Sequence, residues 1–134
     1  MFQGLLNYRQ GLRGIGVKDG FQWLDGSFME DVERTENRNP GDIDVVTFGT
    51  LPIVHAQKSK FFQDHENLLH PDQAKKNFSC HAFFVDLEIR PRLLVDQSKY
   101  WFGVFSHKRV THLWKGMVAI TLNSSDSAAW TLIT

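Results

Sequence analysis

Four short apolar runs constrain this chain more than anything else in it: Phe21–Leu24, Ile43–Phe48, Cys80–Leu87 and Met117–Leu122. Each is too short to cross a core as a helix. Each is rich in β-branched or aromatic side chains, so each reads as a buried strand. The run from Cys80 to Leu87 is apolar almost throughout, which predicts burial on both faces.

The intervals between the runs read as helices and loops. Leu5, Leu6, Tyr8 and Leu12 recur at helical spacing and predict a helix over about residues 4–14, closed by Gly14 and Gly16. Residues 30–41 are polar and charged, with Pro40-Gly41 as turn chemistry, and predict an exposed loop. Gly49 to Pro52 turns the chain. Residues 56–78 predict two short polar helices split at Pro71, which suits a first helical turn, with Asp72 at the positive end of the dipole. Residues 98–105 predict an aromatic helix, and the spacing of Tyr100, Trp101, Phe102 and Phe105 favours core packing over base stacking. Ser124, Ser125 and Asp126 ahead of Ala128 and Ala129 predict a capped final helix.

This order of elements describes an α/β (α+β) fold: a small mixed β-sheet with flanking helices. No crossover helix stands between the first two strands, so at least one strand pair is expected to be antiparallel. At 134 residues, with no repeat or linker, residues 1–134 are expected to form a single domain.

Fifteen basic and fifteen acidic residues cancel, which argues against a protein built as a whole to wrap nucleic acid. The lone Cys80 excludes an internal disulfide and a cysteine-rich zinc site, and it fits a reducing cytosol as a small core residue. Gly and Arg interrupt the N-terminal stretch MFQGLLNYRQGLRGIG, and no apolar run is long enough to span a bilayer. A cytoplasmic location without membrane contact is therefore expected. The heavy aromatic content leaves room for a homodimer face or a partner protein.

The chemistry gathers at two places. The first apolar run ends in Asp25-Gly26-Ser27, and Asp42-Ile43-Asp44 opens the second. Residues two apart on a strand share a face, so Asp42 and Asp44 project together while Ile43 enters the core. Two neighbouring carboxylates repel when both are ionised, and a divalent cation relieves that repulsion. Mg2+ (or Mn2+) suits such oxygen ligands and keeps positions open for phosphate. The small Gly26-Ser27 turn lets backbone amides and the Ser27 hydroxyl donate to anionic oxygens. The plain alternatives are a turn at Gly26-Ser27 and two acids that merely open a strand, with Asp25 as a turn former.

Gly-Ser followed, after a spacer, by Asp-x-Asp on a strand resembles the hallmark of the nucleotidyltransferase superfamily, which includes DNA polymerase beta-like and minimal nucleotidyltransferases. The strings GFQWLDGSFMEDVE, NPGDIDVVTF, YWFGVFSHKR and WKGMVAITL look like a family of small bacterial and prophage proteins assigned to that superfamily. The resemblance spans roughly residues 10–125. It implies a nucleotidyltransferase-like fold and metal-dependent transfer of a nucleoside monophosphate from a nucleoside triphosphate to a hydroxyl. The acceptor class it leaves open is protein, RNA or small molecule. Gly26 and Ser27 would bind the nucleotide, and Asp42 and Asp44 would hold the metal and take part in catalysis.

Two departures qualify that expectation. Residues 28–41 separate Ser27 from Asp42, at the long end of the superfamily's spacer. The superfamily also has a third acid on a neighbouring strand, and the run CHAFFVDL offers His81 or Asp86 for that catalytic position. The resemblance implies Asp at the position where this chain has His81. Imidazole matches Mg2+ poorly, so a non-catalytic nucleotide-binding or regulatory module, such as a partner subunit in a prophage or defence system, stands as the alternative. Asp86, beside Glu88, Arg90 and Arg92, also reads as a solvated strand end with surface ion pairs. Lys108, Arg109 and Lys115 read either as an exposed turn or as contacts to triphosphate or an acceptor nucleic acid.

Overall fold

The computed structural model describes residues 2–25, 43–106 and 117–123. The expected loop at 30–41 and the expected final helix lie outside the described residues. Within them, α1 (Phe2–Gly14) leads into β1 (Gly20–Asp25), and β2 (Ile43–Gly49) follows. A single 3-10 turn at His55–Gln57 opens the crossover, which continues as α2 (Lys58–Asp64), α3 (Glu66–Leu69) and α4 (Pro71–Phe78). β3 (Cys80–Asp86), α5 (Pro91–Ser106) and β4 (Met117–Thr121) complete the order.

The sheet runs β3-β2-β1-β4. β1 is antiparallel to both β2 and β4, whereas β2 and β3 are parallel. The mixed sheet expected from the sequence is therefore present. The parallel pair follows from the crossover: two parallel strands need a long connection between them, and α2 to α4 supply it.

β2 carries the core on both faces. Ile43 and Val45 turn toward α1, α3 and α4, where they join Leu5, Tyr8, Leu12, Leu68 and Ala74. Val46 and Phe48 turn the other way and join Phe105 of α5, with Phe21, Trp23 and Phe83 around them. Each fully buried side chain of this size contributes about 1.5–3 kcal/mol.

α1 ends by the device its glycines allow. Val17 N–H donates to Leu12 O at 2.9 Å and Gly16 N–H to Arg13 O at 3.0 Å, with Gly16 at φ +94°. This is a Schellman closure, and the buried Leu12 and Val17 supply its apolar contact. Gly4 serves close approach instead. A Cβ there would lie 2.0 Å from the backbone oxygen of Phe78, so only glycine lets α1 cross the end of α4.

A polar thread runs through this otherwise apolar side. Arg9 is fully buried and donates to Gln22 Oε1 at 2.7 Å and to the Thr121 carbonyl at 2.9 Å. Gln22 in turn donates to Thr47 Oγ1 at 2.9 Å. These bonds tie α1 to β1, β2 and β4, and they satisfy groups whose desolvation would otherwise oppose folding.

Three readings change. β3 is not buried on both faces: Cys80, Ala82 and Val85 are buried, but His81, Phe83, Phe84 and Asp86 are half-buried. It stands at the edge of the described sheet, so its apolar run does not have the cover that a central parallel strand receives. The segment 56–78 holds three helices instead of two, because His65 (φ −123°, ψ 34°) breaks the chain before the break at Pro71. The start of α4 does follow the sequence: Pro71 opens it, and His70 Nδ1 accepts from Asp72 N–H at 3.2 Å. The aromatic helix begins at Pro91, not Ser98. Proline suits a first turn, and the Ser98 hydroxyl donates back to Leu94 O at 2.8 Å within the helix. No helix among the described residues is long and apolar enough to cross a membrane.

Candidate functional site

Strand alternation places the acids. Ile43 is fully buried on the α1 side, so Asp44, the next residue of β2, projects toward α5. His81 is its register partner on β3, and parallel partners share a face. His81 Nδ1 accordingly lies 3.5 Å from Asp44 Oδ1, with the two side chains 34% and 37% exposed. Imidazolium beside carboxylate makes an ion pair here, and neutral imidazole a contact at the long end of hydrogen bonding.

Asp25 joins them from the other side. It closes β1 and is only 7% exposed. The β1–β2 register ends at Leu24 opposite Val45, and one further step sets Asp25 across from Asp44. Asp25, Asp44 and His81 line one cavity of about 220 Å³. Phe83, beside His81 on β3, and Tyr100 and Trp101 of α5 add aromatic lining. The cavity is open to solvent at a place where two oxygen donors, one imidazole and flat apolar surfaces meet.

Of the residues singled out from the sequence, Asp44 and His81 are therefore brought together. Asp86 is not brought to them. It pairs with Gly49 at the far end of the parallel pair, five residues or roughly 16 Å along β3 from His81. Its carboxylate is engaged there: Lys58 Nζ donates to Oδ2 at 2.7 Å and Glu88 N–H to Oδ1 at 2.9 Å. Lys58 also reaches Glu88 Oε1 at 3.2 Å. The hydrogen bond to Asp86 is the main reason the Lys58 ammonium titrates above its ordinary 10.5. An ion pair at this strand end was expected, but its cation is Lys58 from the crossover, not Arg90 or Arg92.

Gly26, Ser27, Asp42, Lys108, Arg109 and Lys115 lie outside the described residues. Among the described residues no three His, Cys, Asp or Glu side chains group closely enough to hold a metal ion.

Asp25 was expected to be a turn former ahead of Gly26; it closes β1 and lines the cavity with Asp44. The available signal was parity: Phe21, Trp23 and Asp25 fall on one face, the face of Asp44. The α5 aromatics were all expected in the core. Phe105 is buried at 1% exposed, whereas Tyr100 is 60% exposed at the cavity mouth.

A family model described as a family of unknown function, DUF6932, matches residues 1–121, and the chain belongs to that family. Neither the curated proteins nor the solved structures yield a match.

Proposed function

We propose that this protein is a metal-dependent nucleotidyltransferase, moving a nucleoside monophosphate from a nucleoside triphosphate onto a hydroxyl acceptor. The observation that carries the reading is the meeting of Asp25, Asp44 and His81 in one cavity at a single end of the sheet. Asp25 and Ile43, which flank Gly26 and Asp42 in the chain, both lie at that end of the sheet, and this supports the reading.

In this reading Asp42 and Asp44 would hold Mg2+ or Mn2+, which would supply charge neutralisation for the triphosphate while the acceptor hydroxyl displaces pyrophosphate from the α-phosphorus. Gly26 and Ser27 donate to phosphate oxygens. Asp25, nearly buried next to Asp44, adds negative charge that strengthens cation binding. His81 is positioned to accept the proton of the attacking hydroxyl.

The test is transfer of label from α-labelled triphosphates to candidate protein, RNA and small-molecule acceptors, with the Asp42→Ala, Asp44→Ala double variant alongside. Labelling by the wild type alone supports the reading, and equal labelling by both proteins overturns it.

A second reading rests on His81. An imidazole sits next to Asp44 where the resemblance calls for an acid, and Asp86 is occupied by Lys58. A non-catalytic nucleotide-binding module fits that arrangement. Calorimetry showing magnesium-dependent triphosphate binding, with no turnover across the acceptors, would favour the module over the enzyme.

A further inference from the structure

The cavity has two chemically distinct halves, and the acids account for only one. The other half is a chain of rings. His81 lies 4.6 Å from Phe83, Phe83 lies 4.5 Å from Trp101 at an interplanar angle of 37°, and Tyr100 meets Trp101 edge-on at 4.9 Å and 84°. Phe105 anchors Trp101 from below at 5.6 Å. Trp101 is thus held firmly by the core, while Tyr100 stands beside it with 60% of its surface exposed.

We infer that this ring wall is a stacking seat for the base of a purine nucleotide, an assignment that rests on the nucleotide-binding reading above. Three features point to it. First, the seat adjoins the carboxylates, so one ligand can present a metal-bound polyphosphate to Asp44 and a flat ring to Tyr100 and Trp101. Second, about 220 Å³ is below the roughly 300–1,000 Å³ usual for a whole small-molecule ligand, so the cavity admits one end of a nucleotide and leaves the rest outside. Third, the aromatic half offers π faces, and no Asn or Gln side chain lines the cavity among the described residues. Stacking area, larger for a bicyclic purine than for a pyrimidine, sets the preference on those faces.

Tyr100→Ala tests the seat, since an exposed side chain can be removed without disturbing the core. Calorimetry would compare magnesium complexes of ATP, CTP and inorganic tripolyphosphate. The wild type should bind ATP more tightly than CTP. Tyr100→Ala should lose roughly tenfold or more in ATP affinity and nothing in tripolyphosphate affinity, and Tyr100→Phe should restore ATP binding. Unchanged ATP affinity in Tyr100→Ala overturns the seat and leaves the metal–triphosphate reading standing. Failure of the wild type to bind either ATP or tripolyphosphate overturns both.

Discussion

Nδ1 of His81 and Oδ1 of Asp44 stand 3.5 Å apart because the backbone pairs these two residues directly across β2 and β3. Neither side chain reaches for the other. Parallel pairing holds both Cβ atoms on the α5 face, and the crossover that makes the pair parallel sets the juxtaposition. In the proposed metal site the imidazole stands beside Asp44, where an oxygen ligand would better serve a hard cation.

Replacing that imidazole with a carboxylate should therefore improve metal binding. His81→Asp is expected to tighten Mg2+ affinity about tenfold, because Mg2+ prefers oxygen to nitrogen donors. Titration calorimetry of the two proteins with MgCl2 checks it. Equal or weaker binding by His81→Asp would show that position 81 does not face the cation.

Asp86 should matter for stability and not for ligands. Asp86→Asn removes the charged partner of Lys58, both side chains being 14% exposed, and is expected to cost about 1–3 kcal/mol. Nucleotide affinity should stay at the wild-type value. A large loss of affinity with little change in melting temperature would return Asp86 to the site.

Alkaline pH should unfold this protein through Lys58 and Tyr8. The Asp86 bond raises the Lys58 pKa above 10.5, so its stabilisation is complete below that pH and lost as pH climbs through the raised value. Complete burial raises the Tyr8 phenol above its ordinary 10.0 as well. Above that pH the unfolded chain ionises Tyr8 while the folded chain resists, so stability falls again as pH rises. The Tyr8 hydroxyl also has no hydrogen-bond partner among the described residues, although Thr47 lies near it. Tyr8→Phe should accordingly be neutral or stabilising by about 1 kcal/mol at pH 7, and should shift the alkaline transition upward. Denaturant melts from pH 7 to 12 provide the measurement, and a destabilised Tyr8→Phe would mean the hydroxyl is satisfied.

Gly4→Ala is expected to be disruptive although alanine is the better helix former. The added methyl meets a backbone oxygen, so α1 must move off α4, at about 1–3 kcal/mol. Thermal melting should show a drop of several degrees. A stabilised variant would mean that the helix crossing is looser than described.

What could be read from residue order was local. Apolar runs marked β1 to β4, Gly16 marked the end of α1, Pro71 the start of α4, and the two-residue period put Ile43 inward with Asp44 outward. These follow from neighbours along the chain and from fixed strand and helix periods. Tertiary structure decided everything that depends on which strands lie side by side. It put β3 at an edge of the described sheet, with several of its side chains half-buried. It carried Asp86 to the far end, onto a lysine from the crossover. It also set Asp25 and His81 on either side of Asp44, beneath the rings of α5. The physical reason is that strand order and direction come from burying the whole chain at once, and a run of seven residues does not encode which edge it will meet.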